Sequence, residues 1–174
     1  MLDETDHEVT ITSYNPRSRG ETGVVPALLK RLDEERRLSI KFVLWGGPRV
    51  GPNATARWVA KCHGEPVGFL AASVRSDGAT YGLPGTRCAL LEGIARLPDD
   101  DLPNCPRIGS SLMDAFYEYA RKQGASAVVL DVDQEESGLE ERERWFRAKG
   151  FVKRSGTRWW SRDTPHGSVD AVNE

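Results

Sequence analysis

The sequence predicts a mixed α/β (α+β) fold: a mostly antiparallel central sheet with one β-α-β crossover and flanking helices. Three observations carry that expectation. Residues 57–97 read as three strands in succession, joined by polar links. Ile108 to Gln123 then places Ile108, Leu112, Ala115, Phe116, Tyr119 and Ala120 on one helical face. Ala127-Val128-Val129-Leu130-Asp131-Val132 follows, a nearly continuous apolar run of the kind a strand covered on both faces needs.

The remaining elements follow in chain order. Glu8 to Tyr14 alternates and is dominated by β-branched residues, so it reads as a short strand. Asn15 to Gly23 is a polar loop. Val24 to Arg37 carries Val25, Leu28, Leu29 and Leu32 at helical spacing, with Pro26 near the start, where a missing N–H costs nothing. Ser39 to Trp45 is apolar but of undefined type, and Gly46 to Thr55, with three Gly and two Pro, is irregular. Arg57 to Cys62 and Pro66 to Val74 are strands joined by a tight turn at His63-Gly64-Glu65. A Gly-rich loop leads to a fourth strand, Thr86 to Leu97, and then to a loop, Pro98 to Pro106, holding Asp99-Asp100-Asp101. Gly124 is placed to end the helix that follows. Leu139 to Lys149 reads as a helix ended by Gly150, and Phe151 to Arg154 with Thr157 to Ser161 as a hairpin around Ser155-Gly156. Residues 1–162 are expected to form one domain. Residues 163–174 have little to bury and are expected to form a disordered tail.

Bulk composition narrows the function classes. A chain of 174 residues with 29% charged and 39% hydrophobic residues is an ordinary globular domain. A net charge of −2 gives no general attraction to nucleic acid or to an anionic membrane. No apolar run approaches the roughly 18–20 residues that span a bilayer, and the acidic start, Met1-Leu2-Asp3-Glu4, lacks the core of a signal peptide. Cys62, Cys88 and Cys105 are too few and too scattered for a disulfide framework or a zinc site, so free thiols, a cytoplasmic setting and no metal are expected.

The most informative stretch is Pro106-Arg107-Ile108-Gly109-Ser110-Ser111-Leu112-Met113. A turn aimed into a helix N-terminus converges several backbone N–H groups on one point, which suits a phosphate or pyrophosphate. Three patches then carry a resemblance. Leu91-Glu92-Gly93-Ile94-Ala95-Arg96-Leu97-Pro98 lies on the fourth strand. Arg107-Ile108-Gly109-Ser110-Ser111-Leu112-Met113 is similar to Gly-Ile-Gly-Ser-Ala-Leu-Leu. Trp145-Phe146-Arg147-Ala148-Lys149-Gly150-Phe151 is similar to Phe-Tyr-x-x-x-Gly-Phe. In this order and on these elements the chain resembles the GCN5-related N-acetyltransferase (GNAT) superfamily, well over residues 57–160 and loosely over 1–45.

The resemblance implies an acetyl-CoA-dependent N-acetyltransferase acting on a primary amine of a small molecule, by direct attack in a ternary complex. It also implies a possible homodimer. Its pantetheine contacts fall on Ile94, Ala95 and Arg96, and its pyrophosphate contacts on Asn104, Cys105, Pro106, Arg107, Ile108, Gly109 and Ser110. Phe146 joins the coenzyme contacts. Asn104 stands where the family has Arg or Gln, and Arg107 where it has Gly, a substitution that restricts φ. Arg107 either pairs a phosphate directly or points to solvent. Glu92 is the candidate general base, with a salt bridge to a neighbouring Arg as the alternative. The position of the family's thiolate acid is Phe146, which cannot donate a proton. The alternative function is a catalytically degraded acyl-CoA-binding or interaction module. Cys88 and Cys105 have no His close in sequence and read as apolar fillers. Tyr119 is expected in the core, and Tyr117 at the surface.

Overall fold

The computed structural model describes residues 9–17, 23–47, 56–101 and 104–166. The acidic start, most of the irregular 46–55 segment and residues 167–174 of the expected tail lie outside them. Seven strands form one sheet: β1 (Val9–Ser13), β2 (Ala56–Cys62), β3 (Glu65–Arg75), β4 (Cys88–Arg96), β5 (Ala127–Asp131), β6 (Val152–Lys153) and β7 (Trp159–Asp163). Their order is β1-β2-β3-β4-β5-β7-β6, with β4 and β5 parallel and the other neighbours antiparallel. Three helices accompany them: α1 (Val24–Arg36), α2 (Ile108–Lys122) and α3 (Leu139–Ala148). α2 is the β4–β5 crossover, as the run of elements predicts.

The β2–β3 turn shows why these residues form this hairpin. His63 and Gly64 both adopt positive φ, 52° and 80°, the two-residue arrangement whose twist matches the flanking strands. The Phe42–Trp45 segment, undefined from the sequence, is a 3-10 turn. The Asp33 carboxylate fixes its start by accepting from the Phe42 and Val43 N–H groups at 2.6 and 3.0 Å. Tyr14 donates its hydroxyl to the Gly46 carbonyl at 2.8 Å, so β1 holds the far end of the same segment.

The main core joins the sheet to α1 and α2 through Leu29, Leu32, Phe42, Phe69, Leu112 and Phe116. A smaller cluster, Tyr81, Cys88, Leu90, Ala127 and Val129, forms under the Gly-rich loop before β4. Tyr81, read only as a loop residue, is buried there against Trp159, with ring centroids 4.7 Å apart.

The buried stripe of α2 corrects the sequence reading. It is Ile108, Leu112, Met113, Phe116, Tyr117 and Ala120. Tyr117 is buried and Tyr119 only partly so, the reverse of the expectation. As the crossover, α2 covers β5 as well as the meander, so its apolar face reaches one position further round. The Arg162 guanidinium of β7 sits 5.4 Å from the Tyr117 ring. Burial pushes the Tyr117 phenol up, with Arg162 opposing.

β7 runs to Asp163, and Thr164 docks by its N–H and hydroxyl on the carbonyls of Ser126 and Ala125. The sheet thus extends into the segment expected to be a tail. No helix among the described residues is long and apolar enough to cross a membrane.

Candidate active site

β4 and β5 pair only from Cys88–Ala127 to Leu91–Leu130. β4 continues to Arg96 bonded to β3, so its edge facing β5 lacks a strand partner from Glu92 onward. Unpaired backbone N–H and C=O groups on such an edge are ready to bond an extended ligand. A β-bulge marks where the strands part. Leu91 pairs with Ala72 and Gly93 with Ala71, leaving Glu92 as the extra residue. A bulge bends its strand and re-aims its side chain. Gly93 is required beside it: a Cβ there would lie 3.0 Å from the Trp45 ring and 3.3 Å from Ile40.

The gap between the strands is a cleft with two connected parts. One, of 420 Å³, is bordered by Glu92, Asp131, Arg158 and Trp159. The other, of 490 Å³, leads to the start of α2. Leu38, Ile94, Arg142 and Phe146 line both, so the two are continuous. A larger cavity of 760 Å³ runs along the outer side of α2 and shares no lining residue with this cleft. It lacks both the open strand edge and the helix N-terminus, and volume alone does not define a site.

Most of the expected coenzyme contacts come together. Ile94, Ala95, Arg96, Gly109, Ser110 and Phe146 all line the second part of the cleft. Ile108 is a core residue, 2% exposed, and offers the site only its backbone. Asn104, Cys105, Pro106 and Arg107 form the turn into α2, which starts with no side-chain cap. Asn104 and Arg107 adopt φ of 70° and 61°, so Arg107 takes the left-handed conformation of the glycine it stands in for. Its side chain is exposed and makes no ion pair or hydrogen bond among the described residues. α3 closes this end. Trp145 packs over Gly109, where an added Cβ would meet the ring at 3.1 Å, and Lys149 donates to Ser110 Oγ at 2.5 Å.

Glu92 lines the first part of the cleft. Its Oε1 accepts from Ser73 Oγ at 2.7 Å and lies 3.7 Å from Arg75 Nη2. The arginine partner weighed as the alternative is therefore present. Oε2 accepts no hydrogen bond among the described residues. Phe146 is buried against Trp145 and Phe151, with ring centroids at 5.0 and 5.8 Å, and offers no proton donor.

Three contributors to the cleft escaped the sequence. Arg36, in the last turn of α1, donates to the carbonyls of Arg96 and Leu97 at 2.7 and 3.2 Å. Burial first, and then the charge of Arg96, pulls its pKa down. Arg142, on α3, donates to the carbonyls of Asp133 at 2.9 Å and Ser137 at 2.7 Å and shapes the β5–α3 loop. Asp133 accepts from Ser39 Oγ at 2.5 Å and from the N–H groups of Ile40 and Glu135, pinning the chain after α1 beside the opening. Burial pushes its carboxyl up, but the bonds from Ser39, Glu135 and Ile40 outweigh it and hold the pKa below the ordinary value. The Arg36 bonds to Arg96 and Leu97 and the Asp133 bonds to Ser39 and Ile40 join residues far apart in sequence, so no local pattern signals them.

The cysteines correct the sequence reading. Cys62 and Cys105 form a disulfide, with Cα atoms 6.2 Å apart, and only Cys88 is a free thiol. The fold, not the spacing, brings together the end of β2 and the turn before α2. It also brings His63 to both sulfurs, with its ring nitrogen and the two Sγ atoms all within 4.8 Å of one another.

A parallel pair of strands that parts at a bulge, beside an uncapped crossover helix, defines a fold class with known members. No protein-family model matches the chain, and no curated protein matches it. Solved structures do. It matches the GCN5-related glucosamine N-acetyltransferase region of a fungal multi-domain beta-N-acetylglucosaminidase with a TM-score of 0.66 at 15% identity, over 86% of this chain and 18% of that one. The chain thus spans a small part of that multi-domain protein. A GNAT family acetyltransferase from Brucella melitensis, in complex with acetyl-CoA, matches with a TM-score of 0.57 at 20% identity, over 92% of this chain and 94% of that one. The aminoglycoside N-acetyltransferase AAC(6')-Iy, in complex with CoA, matches with a TM-score of 0.60 at 18% identity, over 86% and 91%. The chain has the GNAT acetyltransferase fold.

Proposed function

We propose that the protein is an acetyl-CoA-dependent N-acetyltransferase acting on a primary amine of a small molecule. The observation that carries this reading is the parting of β4 and β5 at Glu92, beside an α2 N-terminus without a side-chain cap. A pyrophosphate there meets the backbone N–H groups of the first turn of α2 and the positive end of its dipole. Ile94 and the Arg96 N–H offer main-chain bonds to an amide-bearing arm laid along the open edge of β4, while Ala95 turns its backbone groups to Phe69 of β3. The part of the cleft at Glu92 and the part at Gly109 and Ser110 give the acyl group and the diphosphate separate ends. Structural neighbours solved with acetyl-CoA and with CoA support the choice of donor, and an aminoglycoside acetyltransferase among them supports a small-molecule acceptor.

The reaction asks little of the protein. The amine must lose a proton, the oxyanion of the tetrahedral intermediate needs a donor, and the thiolate must leave. Glu92 takes the amine proton at Oε2, directly or through a water, while Ser73 holds Oε1. Backbone N–H groups at the bulge face the developing oxyanion. Phe146 supplies no acid, so the CoA sulfur leaves as the thiolate.

The test is an amine panel with acetyl-CoA and detection of released thiol. Saturable CoA release is expected, and Glu92→Gln is expected to lower kcat by about 100-fold or more while leaving acetyl-CoA affinity within about twofold. Full rate in Glu92→Gln across the pH range would remove this residue from the mechanism. The buried Phe146 favours one second reading, an acyl-CoA-binding module without catalysis. Acetyl-CoA binding with no turnover on any amine would establish it.

A further inference from the structure

The turn that leads into α2 is tied covalently across the sheet. Cys105 lies in that turn, and its disulfide partner Cys62 is the last residue of β2. The turn is held against its own preferences. Asn104 and Arg107, on either side of Cys105, both adopt left-handed φ, which asparagine tolerates but arginine does not favour. Such conformations persist only where the surrounding structure over-determines them. The first turn of α2 lacks a side-chain cap, and its lining contacts with α3 begin only at Gly109 and Ser110. The cross-link is therefore the constraint closest to the strained residues.

The two sulfurs differ in access. Cys62 is 2% exposed, whereas Cys105 is only partly buried, and the exposed His63 stands beside both. Cys105 is therefore the more accessible half of the bond, and an entering thiolate directed there leaves Cys62 as the departing group, with the His63 ring close to both sulfurs. Disulfides that are exposed on one side and placed at a functional loop are the labile ones.

We propose that Cys62–Cys105 is a thiol–disulfide exchange site that sets the affinity of the neighbouring coenzyme loop. When oxidised, the bond holds the 104–107 turn in the shape that presents the α2 N–H groups. When reduced, the turn relaxes and the coenzyme is bound more weakly. The exchange partner is a dithiol. One of its thiolates attacks Cys105 Sγ, the Cys62–Cys105 bond breaks, and Cys62 leaves and takes up a proton. The second thiol of the partner then attacks the mixed disulfide and releases Cys105, which is protonated in turn. Two electrons pass to the protein, and the partner leaves as its own disulfide.

This inference rests on the coenzyme A reading above, and its test separates the two. The full chain is titrated by calorimetry with desulfo-coenzyme A, which has no thiol to exchange, in a chelator, as purified and after dithiothreitol treatment. Denatured thiol counts follow the switch: one free thiol, Cys88, when oxidised and three when reduced. Reduction is expected to weaken binding by about tenfold or more, reversibly on re-oxidation and with the far-ultraviolet circular dichroism unchanged. Cys105→Ser is expected to bind weakly with or without dithiothreitol, and Cys88→Ser to behave like the wild type. Equal affinity in the two states, with the thiol count rising from one to three, overturns the switch and leaves the coenzyme reading intact. Global unfolding on reduction overturns it too, since the bond is then a staple. No binding in either state removes the coenzyme reading and the switch with it.

Discussion

Replacing Arg107 by glycine should move stability and affinity in opposite directions. Arg107 holds φ 61° and ψ 26° at the residue preceding α2, a conformation that costs a non-glycine residue about 1–2 kcal/mol. Glycine removes that cost but adds unfolded-state freedom worth about 0.4–1 kcal/mol against folding. The exposed arginine side chain has no ion pair or hydrogen bond to lose among the described residues. The net expectation for Arg107→Gly is a gain of about 0.5–1 kcal/mol, or a rise in Tm of about 1–4 °C for a domain of this size. Urea denaturation with unchanged m checks the first half. Calorimetry with acetyl-CoA checks the second: Arg107 immediately precedes the α2 N-terminus proposed to hold the diphosphate, and loss of its charge is expected to weaken binding by about tenfold. Arg107→Ala keeps the strain and loses the charge, so it should weaken binding equally without the gain in stability. A less stable Arg107→Gly would refute the strain argument. Undiminished affinity in both variants would send the side chain to solvent.

Further expectations follow from the packing. Gly68→Ala puts a Cβ 2.9 Å from Ile108 Cγ2, 3.2 Å from Leu112 and 3.3 Å from the Ala95 carbonyl, and should destabilise by about 1–3 kcal/mol in urea titrations while displacing the first turn of α2. Asp133→Ala removes the acceptor of the Ser39 hydroxyl and the Ile40 N–H and should destabilise by about 0.5–1.5 kcal/mol, with added hydrogen-exchange lability in residues 38–41. The Asp133 pKa is lower folded than unfolded, so its contribution is full above the unfolded carboxylate range. It is lost as pH falls through the folded value, and Asp133→Asn should flatten the acid limb of the stability profile.

The fold was legible where a single element declares itself. The helical period of Ile108 to Ala120 and the apolar run at 127–132 gave the crossover, and His63-Gly64 gave the hairpin. The cleft was legible at the glycine turn, because Gly109 and Ser110 are positioned by their own helix. What escaped depends on pairs distant in sequence. The Glu92 bulge exists only relative to β3, and the Arg36 and Asp133 clamps join α1 or its following segment to β4 and β5. Tyr117 was misplaced because the buried width of a helix is set by what it crosses, not by its own period. The disulfide was missed because counting cysteines says nothing about whether one hairpin end meets one loop.

The way β4 meets β5 also bears on how the chain assembles. β2, β3 and β4 follow one another in sequence order, so each finds its partner already at hand, the low-separation pairing that closes quickly, whereas β1 meets β2 only across α1. β5 can register against β4 only after the whole of α2 has been made and folded back, and just four residue pairs reward it. During synthesis the amino-terminal ribbon should therefore stand alone with its β4 border exposed until the carboxyl-terminal part arrives. The stretch later left open for a ligand is the same stretch that a nascent neighbour would find first.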